Sequence, residues 1–237
     1  MEEKLKGIVL GGTAFGENDK ILNIFTLEQG VLSAKIKGVK KAGAKLKFAS
    51  EPFCFAEFLL AKKGEMRTVT GASLIDSFYP LREDIGKYFC AGAVLEFVKK
   101  FYRENIVSAE GFFLVVETLK EISYGDRSAK EVLIRFLFSA LKENGYALFI
   151  DSCACCKNQV HGRVFFDYRR GSFYCENCFD GVGREMNLST LEGLQTVMRG
   201  GSVDGEIEVK ILRLLNFYIE NRAEEKIKSL AELIKIL

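Results

Sequence analysis

Hydrophobic and polar positions change their period once along the chain, near Pro80. Before that point the pattern is short and strand-like. Leu5–Leu10 is apolar and β-branched, and Gly11-Gly12 reads as a break after it. Ile21–Leu27 is a second run, Gln29-Gly30 a turn, and Val31–Ile36 alternates strictly. Phe53–Ala61 follows Pro52, and Lys63-Gly64-Glu65 separates it from Met66–Leu74. Five short strands with glycine punctuation in about eighty residues predict a small closed barrel or a sandwich.

After Pro80 the spacing becomes helical. Ala91, Val94, Leu95, Val98 and Phe101 share a face within Glu83–Tyr102, and Phe112–Ile122 is a second apolar segment. Ser128–Asn144 repeats apolar residues at i, i+1, i+4 and i+5, with Asp126 or Ser128 as N-cap and Gly145 as stop. Leu188–Met198, Glu206–Asn221 and Ile227–Leu237 continue the pattern. The expectation is an α+β chain in which residues 1–80 form a β domain and residues 81–237 a helical domain.

That helical stretch is interrupted at about 151–180 by a cysteine-rich insert. Cys153 and Cys156 form one Cys-x-x-Cys pair, and Cys175 and Cys178 form another. Val164-Phe165-Phe166 and Ser172-Phe173-Tyr174 around Arg169-Arg170-Gly171 read as a hairpin between them. Two tight turns brought together by a hairpin place four thiolates around one metal, so the spacing predicts a structural zinc site. Cys155 and His161 are alternative ligands, and Cys54 and Cys90, in apolar runs, are expected in the core. Two disulfides and four core cysteines are the competing readings. Disulfides are disfavoured because the chain opens Met1-Glu2-Glu3-Lys4, without the layout of an export signal, and core thiols would not arrive in matched pairs.

Composition adds exclusions. The 237 residues are 48% hydrophobic and 28% charged, as in globular proteins. The longest apolar runs, such as Phe112–Val116, are far too short to span a membrane. There is one histidine, so any histidine-based catalysis has to run through His161. Gly11-Gly12-Thr13-Ala14-Phe15-Gly16 lacks the Gly-Lys-Ser/Thr ending of a phosphate loop and reads as a bend between strands. No catalytic constellation stands out, and the expectation is a protein that is not an enzyme.

The net charge of +2 hides a local excess. Val31–Ser50 contains Lys35, Lys37, Lys40, Lys41, Lys45 and Lys47 and no acid. Lysines are point charges on long stems and suit phosphates, so this strand and the flexible loop after it are read as a DNA-binding segment. Phe25, Phe48, Phe53, Phe55 and Phe58 are nearby aromatics, most of them expected in the core and the rest available for stacking on bases.

Specific text in the first eighty residues resembles the RecO family of bacterial DNA repair proteins. It includes Lys6-Gly7-Ile8-Val9-Leu10, Gly16-Glu17-Asn18-Asp19-Lys20, Phe25–Gly30, Lys37–Lys41, Lys45-Leu46, Glu51-Pro52-Phe53 and Leu74–Arg82. The paired cysteines after a helical segment fit as well. The resemblance implies that the β domain is an OB-fold and that the helical domain carries the zinc module. It implies binding to single- and double-stranded DNA, annealing of complementary strands, and help in loading RecA onto strands coated by single-strand binding protein. Implied partners are RecR and the acidic, apolar tail of that coating protein, with a cytoplasmic, nucleoid-associated location. A tail site needs a basic residue on a helix beside an apolar groove, and Arg127, Lys130 and Arg135 are candidates. The alternative is a zinc-containing interaction adaptor without DNA activity of its own. A redox enzyme using the Cys-x-x-Cys pairs is a third reading.

Overall fold

The computed structural model describes residues 2–237. The chain folds into two compact units. The first holds the chain up to Glu83 together with Leu95–Ser123, and the second holds Asp84–Val94 and Tyr124–Leu237.

In the first unit, β1 (Glu2–Phe15), β2 (Asp19–Thr26), β3 (Gly30–Ile36), β4 (Phe55–Lys63) and β5 (Met66–Asp76) close a barrel in the order β1-β2-β3-β5-β4. β1 pairs antiparallel with both β2 and β4, β4 pairs antiparallel with β5, and β3 joins β5 in parallel. This five-stranded Greek-key closure is an OB-fold. A barrel rather than a sandwich forms because closure leaves no exposed sheet edge.

The alternating strand positions fill the barrel. Leu22, Ile24, Leu32, Ala34, Ile36, Ala56, Phe58 and Leu60 form one buried cluster. The opposite face is covered too, which explains why Ile21–Leu27 reads as nearly continuous apolar text. Phe25 points outward against Tyr102 and Phe112, with ring centroids at 5.0 and 5.6 Å. Tyr102 follows α1 (Ile85–Phe101), and Phe112 belongs to α2 (Ala109–Tyr124). The Asn105 N–H donates to the Val31 carbonyl at 2.9 Å and ties the α1–α2 connection to β3. Gly30 lies in this approach at φ +70°, and a Cβ there would collide with the Ile106 backbone.

One local expectation is corrected. Gly11-Gly12 does not end the first strand, which continues to Phe15 with pairing down to Phe15–Asp19. The register slips between Val9 and Gly11, and Gly11 takes φ +148°, so the glycine makes a bulge instead of a break.

The second unit contains α3 (Ala129–Glu143), α4 (Leu188–Met198), α5 (Gly205–Tyr218) and α6 (Lys228–Ile236). Val132, Leu133, Phe136 and Leu137 on α3 are buried, as are Leu191 and Leu194 on α4 and Ile211, Leu214 and Leu215 on α5. α5 starts on a cap: the Asp204 carboxylate accepts the Ile207 N–H at 2.9 Å. The helix expected to run to Asn221 leaves α geometry after Tyr218 and closes as a π turn over Ile219–Ala223. A small sheet, β7-β6-β8, carries the insert, with β6 (Val164–Asp167), β7 (Ser172–Cys175) and β8 (Arg184–Met186). β6 and β7 are the hairpin read from the sequence. β8, three residues long, carries no alternating pattern that sequence could show.

Candidate nucleic-acid interface and metal centre

The basic segment begins on β3 and ends in a short 3-10 turn at Phe48–Ser50. Between them the chain makes successive tight turns: the N–H groups of Lys41, Ala44 and Lys47 donate to the carbonyls of Gly38, Lys41 and Ala44 at 3.2, 3.1 and 3.2 Å. The loop is pinned, contrary to its expected flexibility. Val39 and Ala49 are buried in the barrel core, and Leu46 packs against it. On the other side, the Asp19 carboxylate accepts the Gly38 N–H at 2.8 Å, and the Lys40 N–H donates to the Asn18 carbonyl at 3.1 Å.

This arrangement sorts the six lysines. Lys35 is half-buried and held by Asp19 at 2.8 Å, with its ammonium 4.4 Å from the centre of the Phe15 ring. The Lys35 hydrogen bond, followed by that of the Gly38 N–H, holds the Asp19 carboxyl below its ordinary value. Lys37, Lys40, Lys41, Lys45 and Lys47 are exposed. Lys40 donates to the Gly16 carbonyl at 3.2 Å. None of the five has an ion-pair partner among the described residues. Their charge is therefore displayed from a fixed backbone. Among the five phenylalanines considered for stacking, Phe25, Phe53 and Phe58 are buried, and Phe48 is the exposed one. Phe15, 42% exposed beside Lys35, was not singled out in sequence because the glycines before it read as the end of the strand.

The second site lies in the insert. The sulfurs of Cys153, Cys156, Cys175 and Cys178 all fall within 4.8 Å of one another. The Cys156 and Cys175 sulfurs are 3.9 Å apart. A tetrahedron with metal–sulfur bonds of about 2.3 Å has edges of roughly 3.8 Å, so the spacing suits a zinc ion. Each pair is shaped by a local turn. The Lys157 N–H returns to the Cys153 carbonyl at 3.0 Å, with Lys157 at φ +64°, and Glu176–Cys178 is a single 3-10 turn. β7 ends on Cys175, opposite Val164 of β6, which brings the two turns together.

Four thiols this close cannot all ionise without a cation. Burial opposes the Cys153 thiolate, but the N–H groups of Cys175, Cys156 and Cys155 directed at its sulfur outweigh it and lower its pKa to about 6. Burial raises Cys175, and the thiol hydrogen bonds of Cys175 and Cys156 push Cys178 up strongly. A divalent ion removes this conflict. The group includes neither Cys155 nor His161, both of which are exposed. Cys54 and Cys90 are core residues, 2% and 0% exposed. Burial pushes their thiols up to about 11 and about 12, so they are inert.

The three cations considered for a partner tail all have acids already. Arg127 and Arg135 both reach Glu131 at 2.9 Å, and Lys130 reaches Glu208 at 2.8 Å. Glu131 and Glu208 are buried. The i,i+4 spacing of Arg127, Glu131 and Arg135 is the signal that could have shown the first pairing, whereas Lys130–Glu208 joins two helices and has no local signature.

The fold and sites define a class: an OB-fold barrel followed by a helical region with a four-cysteine centre able to hold a metal ion. The N-terminal and C-terminal models of recombination protein O match residues 1–78 and 82–231. DNA repair protein RecO of Acetivibrio thermocellus is 30% identical over 186 residues, covering 78% of this chain and 74% of that one. The protein of the same name from Anaeromyxobacter sp. strain K is 31% identical, covering 84% and 80%. That from Pelotomaculum thermopropionicum is 29% identical, covering 96% and 92%. The chain belongs to the RecO family, and its role is in DNA repair and recombination. No helix among the described residues is long and apolar enough to cross a membrane.

Proposed function

We propose that this chain is a recombination mediator that binds single- and double-stranded DNA, anneals complementary strands and helps load RecA onto strands coated by single-strand binding protein. The observation that carries this reading is the pinned loop with five exposed lysines that lack ion-pair partners among the described residues. Annealing two strands is opposed mainly by repulsion between their phosphates, and a fixed array of cations reduces it. The array works on either form of DNA because lysines contact the backbone and not base edges. Lys37, Lys40, Lys41, Lys45 and Lys47 supply the contacts. Lys35 contributes mainly by holding Asp19, which in turn holds Gly38.

In this reading residues 1–80 are the DNA-binding domain, and residues 81–237 carry the zinc module and partner contacts. Cys153, Cys156, Cys175 and Cys178 hold one structural zinc ion. Four sulfurs leave no open position for water, so the ion supplies cross-linking and no chemistry. The chain acts without a catalytic residue, in the cytoplasm at the nucleoid. RecR and the acidic tail of the coating protein are its partners. Because Arg127, Lys130 and Arg135 are committed to buried acids, the tail has to be met elsewhere or displace Glu131 or Glu208.

The direct test is annealing of complementary oligonucleotides pre-coated with single-strand binding protein. The expected result is a large acceleration by the wild-type chain and little by a K37E/K40E/K41E/K45E variant. Equal annealing by both defeats the loop as the site. No acceleration by either, with a protein partner still co-purifying, favours the adaptor reading.

A further inference from the structure

A third cationic feature lies in the second unit, apart from the lysine loop and the cysteine cluster. A cavity of about 430 Å³ opens between β8, the start of α4 and one face of α5. Lys210, Arg213 and Phe217 recur at helical spacing on α5 and line it, while Arg184 reaches it from β8 and Thr190 from α4.

The protein leaves several of these groups unsatisfied. Arg213 is exposed and has no ion pair or hydrogen bond among the described residues. The Arg184 guanidinium sits 5.8 Å from the centre of the Phe217 ring and likewise meets no carboxylate among them. α4 begins without a side-chain cap although Asn187, a good capping residue, occupies the position. The Thr190 N–H returns to the Asn187 carbonyl at 3.0 Å, whereas the Leu188 and Ser189 N–H groups have no partner among the described residues and carry the positive end of the helix dipole. Thr190 is only 2% exposed, lines the cavity, and has no hydrogen-bond partner for its hydroxyl among the described residues. The acids nearby are taken. Glu185 accepts from Arg163 at 2.9 and 2.8 Å, and Glu206 pairs with Lys210 at 2.6 Å.

Two unneutralised arginines, a helix start without a side-chain cap and the unpaired Thr190 hydroxyl line one space. A tetrahedral oxyanion answers all of them, because its several acceptor oxygens can take N–H, hydroxyl and guanidinium donors at once. Phe217 adds an apolar wall suited to a flat ring attached to that anion. We propose that this cavity binds a phosphate of a nucleic-acid strand, giving the second unit a DNA contact of its own. The choice of nucleic acid over another phosphate source rests on the DNA-binding reading above.

The test uses the full chain, an R184Q/R213Q variant and the K37E/K40E/K41E/K45E variant. In anisotropy titrations of a labelled single-stranded oligonucleotide, R184Q/R213Q should flatten the log–log salt slope by about 1.4, from two lost contacts at roughly 0.7 each. Its melting temperature should not change, since both arginines are exposed. The amide resonances of Leu188 and Ser189 should shift on titration with a 5′-phosphorylated dinucleotide. The shift should occur in the wild type and the lysine variant, be weakened several-fold in Thr190→Val, and be absent from R184Q/R213Q. An unchanged slope with unmoved amides overturns the proposal, and if the lysine variant still loses DNA, the loop reading stands. Amides that answer inorganic phosphate or an acidic peptide but not the dinucleotide overturn it as well. A wild-type chain without salt-dependent DNA binding, whose amides still move with the dinucleotide, supports the cavity and defeats the loop reading.

Discussion

Glu131 is 2% exposed, and its carboxylate bridges Arg127 and Arg135 at 2.9 Å each. Burial works against its charge, but hydrogen bonds from Ser202, Arg135 and Arg127 prevail and keep its pKa below the usual 4.5. Its stabilising contribution is therefore present above the unfolded value and lost as the pH falls through the lower folded one. Glu131→Gln should cost about 2 kcal/mol near neutral pH, and the gap to wild type should close in acid. Urea unfolding at several pH values measures this, and a gap that widens in acid contradicts it. At Gly30, the positive φ and the approach of the Ile106 backbone allow no side chain. Gly30→Ala should lower the melting temperature by several degrees, since it forces the β3 end away from the Ile106 segment.

At the scale of elements, the insert buries Val164, Phe165, Phe166 and Phe173 and gathers four sulfurs from its two cysteine turns. Stripping the metal with a chelator, or making Cys175→Ser, should unfold the β6–β8 region locally while the barrel keeps its stability. Protease cleavage confined to residues 151–186, together with metal analysis of about one zinc per chain, is the expected result. Cleavage spread evenly along the chain contradicts it. The two Cys-x-x-Cys pairs were legible because metal geometry repeats in sequence. The barrel strands were legible because their period is two and glycines separate them. The bulge at Gly11 was not, because glycine reads the same whether it ends a strand or kinks it. Nor was β8, since three residues with two exposed charges show no period. The pinning of the lysine loop was missed, although Val39 and Leu46, two apolar residues among lysines, are the signal that could have shown it. The pairing of Lys35 with Asp19 was invisible, because it depends on the register between β2 and β3.

Across the whole molecule, the near-neutral total charge is built from separated surpluses. The barrel displays five lysines, the helical region buries Glu131 and Glu208 under cations, and one cationic cavity is left unbalanced. Residues 95–123 cluster with the barrel even though their own pattern is helical. Periodicity identifies what an element is, whereas the surface it covers depends on tertiary packing such as Phe25 on Phe112.

The central claim is that the Lys37–Lys47 loop binds DNA through phosphates. It is tested most directly by anisotropy titration of a single-stranded oligonucleotide across a salt series. Five exposed lysines predict a loop contribution to the log–log slope near roughly −3.5 for the wild-type chain. The K37E/K40E/K41E/K45E variant should bind far more weakly and lose most of that slope. The same affinity and slope in both proteins would contradict the account.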